Sequence, residues 1–521
     1  MKKKASAKSP RNLDKHLFEA GQQCHKRLWF DFHAPATEEP GTGRQLMSSV
    51  GQQLLTLARS VFPKGVAVAA ERTDEAAAET TRLLEAATPV VFGAVFTADG
   101  VEVRSDILVR HRDGGIDLYE VKSGTKIKHR YVNDLALQVH VVSLCGHKVR
   151  AAFLLHVNPG YVHKEGADFP PMQLLRSADV TSKVQKQVEL VKRRLQQFRQ
   201  VTDAEQAPAL ATGTYCTAPF PCPHLGRCSK DEGTAPLREL PELTRALENE
   251  LHKQGIRTIA QLDPEREGLT FRQKRTVASV RSGETTIEPF VREELRQCAL
   301  PLHFLAIAAL PEPLPRFDGQ RPWRHVPYGW AACTLHDGGR VERAHFVHVD
   351  RTDPRGDFTT SLAKHLEVGG TIVCWNAESI DELRSLLDDL PGAKAAVRTV
   401  LGRPHVDLMQ LFDAGVFEPS LRDHTDLRRS VAALLGDRSG DDLTVHGEDD
   451  LRAAIHRAAT PRIRSATKDK IAEEVKATLV WTSERMLDLW RKFAGVETAR
   501  APKPAPTGGR SKPLPKPLPG E

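Results

Sequence analysis

The chain has no apolar run of the roughly 20 residues needed to cross a bilayer. Its basic start, MKKKASAKSPRNLDKH, is followed by no apolar h-region. These absences point away from a membrane protein and from a secretory signal, so the expected location is cytoplasmic. Cysteine is sparse, eight in 521 residues, and in a reducing compartment a disulfide framework is not expected. Cys145, Cys298, Cys333 and Cys374 stand singly among apolar residues and read as core. A third lack matters later: no D-x-E occurs in ALPLHFLAIAALPEPLPRF, residues 299–317.

What is present is ordinary globular composition, 40% hydrophobic and 27% charged. The length exceeds one typical core and implies two to four domains. The net charge of +7 is compatible with a phosphate-bearing partner. Residues 1–11 form a basic tail, and residues 496–521, rich in Pro and Lys, form a second tail with almost no apolar residue to bury.

Between the tails two α/β patterns stand apart. The first has helices at about 12–23 and 42–62 and an alanine-rich helix at 73–87. Strand-like runs follow at VVFGAVFTADG, VEVRSDILVRH and IDLYEVKSG, then a helix and HKVRAAFLLHVN. This spells β-β-β-α-β with a mixed sheet. A charged helix at about 180–200 and a Cys-rich loop at 211–230 come next. Residues 237–297 are helical, and LHKQGIRTIAQL within them resembles a helix-hairpin-helix. A second α/β pattern runs from Leu300 to about Gly495.

In the first pattern the turn signal RDGG lets Asp106 and Glu120, thirteen residues apart between them, approach across a hairpin. Glu120 and Lys122 are two apart and share a strand face. Gln138 stands among apolar positions of the next helix. Two carboxylates and a cation at one strand end suit metal-assisted phosphodiester hydrolysis: hard oxygen ligands hold Mg²⁺ or Mn²⁺, and a lysine steadies the developing charge. A surface ion pair is the plainer alternative for the bare E-x-K spacing.

Cys216, Cys222 and Cys228 have C-x5-C-x5-C spacing in a loop rich in Pro and Gly, and Cys24 in EAGQQCHKRLW offers a fourth thiol. Four thiolates suit zinc or an iron–sulfur cluster. Three clustered cysteines plus a remote one favour a cluster; with zinc, His25 or His224 could substitute. Unligated loop cysteines are the bland alternative.

The hairpin SDILVRHRDGGIDLYEVKSG, the helix glutamine, and one early plus three late cysteines together resemble the RecB-like PD-(D/E)xK nucleases of the iron–sulfur branch. That branch includes the CRISPR adaptation nuclease and the AddB nuclease domain. GQQLLTLARSVFPKGV and PRFDGQRPWRHVPYGW further resemble a bacterial family that joins this nuclease to a DnaQ-like exonuclease domain. The resemblance, over about residues 12–490, implies an α/β fold. It has a restriction-endonuclease-like PD-(D/E)xK core with an iron–sulfur-pinned helical part (12–232). A small helical region (233–298) and an RNase H-like α/β domain (299–495) follow.

By that resemblance Asp106, Glu120 and the backbone carbonyl of Val121 are metal ligands, Lys122 is the catalytic lysine and Gln138 supports it. Val142 stands where the family has tyrosine, and Leu55 stands where a ligand histidine follows Gly51. Cys24, Cys216, Cys222 and Cys228 match the ligands of a structural [4Fe-4S] cluster. In the second domain Ala306 and Ala308 replace the two acids of D-x-E. Asn376 is kept, while Ile380, beside Glu378 and Asp381, occupies an acidic place. Thr482 replaces an expected Asp-Thr, and Asp407 survives alone. Alanine cannot ligate a cation, so this domain is expected to be inactive and kept for nucleic-acid or protein contact. The implied activity is metal-dependent hydrolysis of DNA, with RNA as an alternative substrate. The rival is a non-catalytic nucleic-acid-binding scaffold.

Smaller signals have two readings each. The basic face of VKRRLQQFRQ contacts DNA or is merely solvated. Trp323, Trp330 and Trp375 stack on bases or belong to the core. His156 reads as a core histidine.

Overall fold

The structure, a computed structural model, describes residues 11–35, 42–164, 166–460 and 462–495. The two expected tails lie outside these residues, apart from Arg11.

Helices α1 (Lys15–Gln23) and α2 (His25–His33) meet at Cys24, which ends the first and begins the second with an extended backbone. Then come α3 (Thr42–Ser60), β1 (Val66–Ala67), α4 (Thr73–Glu85), β2 (Val90–Ala98), β3 (Val101–Arg110), β4 (Ile116–Lys122), α5 (His129–Leu144) and β5 (Val149–Val157). A short α6 (Pro171–Leu174) leads to β6 (Leu175–Asp179) and the long α7 (Thr181–Asp203).

The six strands lie in chain order in one sheet. β2, β3 and β4 are antiparallel neighbours. The β2–β3 turn uses positive φ at Asp99 (50°) and Gly100 (65°), the requirement of a tight two-residue hairpin. β4 and β5 are parallel, and α5 makes the crossover such a pair needs. The expected β-β-β-α-β order is present. Edge strands β1 and β6 were not foreseen, because the first is two residues long and the second, LRSAD, has no alternating apolar pattern.

Each face of the sheet is covered. On one, Leu118 and Leu154 pack with Leu135 and Val141 of α5 and with Val191, Leu195 and Phe198 of α7. On the other, Ile107, Tyr119 and Val121 pack with Leu54 and Ala58 of α3. Glu120 therefore points toward the α5 side.

The helical region has its own small core of Leu237, Leu251, Ile259, Leu262 and Val277. Its Gly-Ile segment leads into a single 3-10 turn, Ile259–Gln261, and the next helix begins only at Phe271. Ile259 and Leu262 are buried there, so the segment packs and does not form a tight hairpin of helices. Strand β7 (Thr286–Ile287) and the helix Pro289–Gln297 belong with the C-terminal unit, since Val291 and Leu295 enter its core.

That unit carries β8 (Leu302–Glu312), β9 (Arg324–Leu335), β10 (Val341–Val347), β11 (Thr371–Cys374) and β12 (His405–Asp407). The sheet order is β10-β9-β8-β11-β12, with β8, β11 and β12 parallel and β8, β9 and β10 antiparallel. β13 (Val416–Phe417) pairs with β7. The 30-residue helix Ser465–Ala494 packs Ile471, Val475, Met486 and Trp490 against one face.

The loop between β8 and β9 reaches back to the first unit. Gly319 N–H donates to His163 O and His163 N–H donates to Gln320 O, both at 2.9 Å. Trp323 Nε1 donates to Ser123 O at 2.7 Å, one residue beyond β4. The PRFDGQRPW segment is thus a docking loop, and the Trp323 indole is engaged by Ser123. Trp330 is buried, with Nε1 donating to Ser361 Oγ at 3.0 Å.

Candidate active site

The β3–β4 register pairs Ile107 with Tyr119. Extended by one residue, it sets Asp106 against Glu120. Val121 N–H closes this corner by donating to Asp106 Oδ2 at 2.8 Å. Lys122, two residues after Glu120 on the same face, donates to Glu120 Oε1 at 2.7 Å. Gln138 reaches down from α5 and donates to Glu120 Oε2 at 2.8 Å. Asp106, Glu120, Lys122 and Gln138, four residues singled out from sequence, are thus brought together.

Two further residues complete the cluster. Asp134 lies four residues before Gln138 on α5, hence on the same helix face. Its Oδ2 accepts from Lys122 Nζ at 2.8 Å and pairs with Lys15. Lys15, the first residue of α1, also donates to Glu120 Oε1 at 3.0 Å. Asp134 carried a readable signal, a second polar position aligned with Gln138 inside an apolar helix. Lys15 carried none, for it is 105 residues from Glu120.

Glu120, Asp134 and Gln138 are all at most 5% exposed. Burial would raise the Glu120 carboxyl, but the charges of Lys122 and Lys15 outweigh it and hold it down at about 2. Burial and the Glu120 charge push Asp106 up to about 7 and Asp134 up to about 6. Burial also works against the Lys15 ammonium, yet Glu120 and Asp134 raise its pKa. Three acids thus share two ammonium groups. Gln138 Oε1 is buried without a hydrogen-bond partner, an open acceptor beside Glu120. A cavity of about 140 Å³ opens here, lined among others by Lys15, Arg104, Asp134 and Gln138.

Among the described residues, α3 contributes no polar group to this cluster. Leu54 and Ala58 pack on the Tyr119 and Val121 side, and Leu55 lies between them in the chain. Val142 is fully buried in the α5 core. Tyr131, one helical turn before Asp134, presents its ring 5.3 Å from Lys122 Nζ.

The cysteines form a second cluster. Cys24, Cys216, Cys222 and Cys228 interact electrostatically with one another. Burial and then the charges of the other thiols push Cys216 up to about 11. Burial raises Cys222 and Cys228 likewise. The loop is held by Cys222 N–H to Cys216 O at 2.8 Å, and Gln23 Nε2 donates to Tyr215 O and Phe220 O at 2.8 Å each. Neither histidine side chain joins the thiols. His224 Nε2 bonds Asp31 Oδ1 at 2.7 Å, and His25 lies edge-on to Phe198. Among the described residues, no group of three or more His, Cys, Asp or Glu is already closed to the spacing of a metal-ion site. At Glu120 the ammonium groups of Lys15 and Lys122 stand between the Glu120 and Asp134 carboxylates.

In the C-terminal unit Ala306, Ala308, Asn376 and Thr482 line one cavity of about 340 Å³. Ile380 is buried in a separate core with Leu383 and Ala393. Asp407 is spent on backbone: it caps the following helix through Gln410 N–H at 2.7 Å and accepts from Ala377 N–H at 2.9 Å. His156 Nδ1 lies 3.2 Å from Val157 O.

Residues 303–425 match the family described as Domain of unknown function (DUF2779). No curated protein matches the chain. Among solved structures, the crystal structure of LHK-Exo in complex with dAMP aligns at 12% identity. It covers 37% of this chain and 90% of its own, with a TM-score of 0.23. The crystal structure of SSO0001 aligns at 10% identity over 35% of this chain and 85% of its own, with a TM-score of 0.13. Among the described residues no helix is long and apolar enough to cross a membrane.

Proposed function

We propose that the chain is a metal-dependent DNA nuclease of the PD-(D/E)xK type whose chemistry sits at the end of β4. The observation that carries this reading is the convergence of Asp106, Glu120, Lys122, Asp134 and Gln138 from two strands and one helix into a buried cluster. Gathering three acids, two of them buried, around two lysines is costly for stability alone, and such costs concentrate at functional sites.

Asp106, Glu120 and the Val121 carbonyl would hold Mg²⁺ or Mn²⁺. When bound, the ion supplies a water of lowered pKa and charge stabilisation at the phosphorus. The open Gln138 Oε1 and the hard oxygen donors fit such a hydrated cation. The protein's own groups do the rest. Gln138 keeps Glu120 in one orientation. Asp134 holds the Lys122 ammonium at 2.8 Å, so that it faces the strand end where phosphate charge develops. Burial and the Glu120 charge push Asp106 up to about 7 in the metal-free state, so it takes up a proton far more readily than an ordinary aspartate.

The four soft thiols Cys24, Cys216, Cys222 and Cys228 fit a [4Fe-4S] cluster, with zinc as the alternative. Either would cross-link the α1–α2 junction to the loop. The C-terminal domain contributes contact rather than hydrolysis, since Ala306 and Ala308 line its cavity where the acids of a D-x-E would stand. That alanine lining is also what favours the second reading, a binding scaffold in which neither domain cleaves.

The test is cleavage of end-labelled single- and double-stranded DNA with Mn²⁺ or Mg²⁺ by anaerobically purified protein. Lys122→Ala and Glu120→Ala are assayed alongside. Cleavage lost in both variants supports the nuclease. Binding without cleavage by the wild type would leave the scaffold reading.

A further inference from the structure

Glu120 is crowded. Its Oε1 accepts from both Lys122 at 2.7 Å and Lys15 at 3.0 Å, and its Oε2 accepts from Gln138 at 2.8 Å. A divalent cation cannot share that carboxylate with both ammonium groups, because like charges at such distances repel strongly in a buried site. One lysine must let go.

The two are not equivalent. The Lys122 side chain is 13% exposed, stands on β4 itself, is bonded to Asp134 and lies over the Tyr131 ring. The Lys15 side chain is 43% exposed and comes from a different element. Its helix, however, does not float. Asp14 caps α1 by accepting from Leu17 N–H at 2.8 Å, and Leu17 and Phe18 are buried. Gln22 Oε1 accepts from Asn133 Nδ2 at 3.0 Å and from Arg194 Nη1 at 2.8 Å. Gln23 grips the cysteine loop. A held backbone with a long, rotatable, half-exposed ammonium lets the charge move while the helix stays.

The direction of movement is also set. Lys15 and Arg104 both line the adjoining cavity of about 140 Å³. Its three acids are engaged: Asp14 by the α1 cap, Glu102 by Asn12 Nδ2 at 3.4 Å and Thr73 Oγ1 at 3.3 Å, and Asp134 by Lys122 Nζ at 2.8 Å.

We propose that Lys15 is a tethered counter-ion of the site. It neutralises Glu120 and Asp134 in the metal-free protein, gives up Glu120 when a divalent cation is taken by Asp106 and Glu120, and turns its ammonium into the cavity to bind a phosphate of the substrate strand. This rests on the nuclease reading above and adds to it a residue that neither spacing nor resemblance singled out.

The test measures Mn²⁺ affinity by calorimetry in the absence of DNA, on full-length protein carrying Lys15→Met, Lys15→Gln, Lys15→Arg or Glu120→Gln. An ammonium beside a carboxylate shifts its proton affinity by about one to three pH units. Removing Lys15 is therefore expected to tighten Mn²⁺ binding roughly tenfold or more, while Lys15→Arg stays near wild type and Glu120→Gln loses the site. A second arm measures binding of a single-stranded 20-mer in Ca²⁺ against salt. Losing one phosphate contact should weaken binding and reduce the logarithmic salt slope by about one. Mn²⁺ binding by Lys15→Met and Lys15→Gln no tighter than wild type, with Glu120→Gln still defective, overturns the role of Lys15 and leaves the nuclease reading standing. No Mn²⁺ binding by wild type or variants, or binding indifferent to Glu120→Gln, overturns both. Tighter Mn²⁺ binding with an unchanged salt slope overturns the phosphate contact.

Discussion

Replacing Gly21 with alanine should destabilise the protein, against the ordinary preference of a helix for alanine. Gly21 lies inside α1, and by propensity alone the substitution would stabilise by about 1 kcal/mol. The packing reverses the sign. A Cβ at Gly21 would lie 2.8–2.9 Å from three carbons of the Phe198 ring, against the roughly 3.5–4.0 Å of normal carbon contacts. Phe198 cannot swing aside, because it is 1% exposed and wedged edge-on against Phe18 and His25, with ring centroids 5.5 and 5.7 Å away. Overpacking of this kind costs about 1–3 kcal/mol, and because the nearest ring carbons lie as close as 2.8 Å the upper part of that range applies, so the net expectation is a loss of up to about 2 kcal/mol after the helix gain. Urea denaturation followed by far-UV circular dichroism measures it. Phe198→Leu in the same chain should recover part of the loss, giving a coupling term between the two sites. A Gly21→Ala variant as stable as wild type, or more so, would refute the close-packing argument. With it would go the claim that α1 is rigidly seated on α7.

Other expectations follow from single contacts. Asp31 is buried among His16, Arg27 and His224. Burial would raise its pKa, but the bonds from His16 and His224 and the Arg27 charge hold it at about 2 against an ordinary 3.8. A depressed carboxyl contributes stability above its unfolded value that is lost as pH falls through the folded one. Wild type should thus lose about 1–2 kcal/mol more than Asp31→Asn between pH 5 and pH 2, and parallel urea stability curves for the two proteins across that range would contradict this. Trp323→Phe removes the N–H that bonds Ser123 O while keeping most of the ring. It should cost about 1 kcal/mol and speed proteolysis of the β8–β9 loop, whereas unchanged digestion would mean that the docking does not depend on that bond.

The hairpin that carries Asp106 and Glu120 was legible because its determinants are local. RDGG sets the turn, and a strand period of two fixes which side chains share a face. Gln138 was legible as a polar interruption of an apolar helix, and Cys216, Cys222 and Cys228 by their clustering in one loop. The second sheet's strands at 302–312 and 324–335 were likewise written in continuous apolar runs. Edge strands β1 and β6 were not, since short, polar edges owe their existence to the neighbour they pair with.

By itself the sequence determined which residues of one local segment converge: a strand pair, a turn and the next helix bring Asp106, Glu120, Lys122 and Gln138 within reach of one another. Only the tertiary structure decided what faces them. Lys15 reaches Glu120 because Gly21 lets α1 close onto α7. Asp134 is shared by two lysines from different elements. The alanines at 306 and 308 line one cavity because a helix more than 150 residues downstream lies across their strand. Periodicity and turn chemistry act over a few residues, and the partners of a buried charge are chosen by the packing of whole elements.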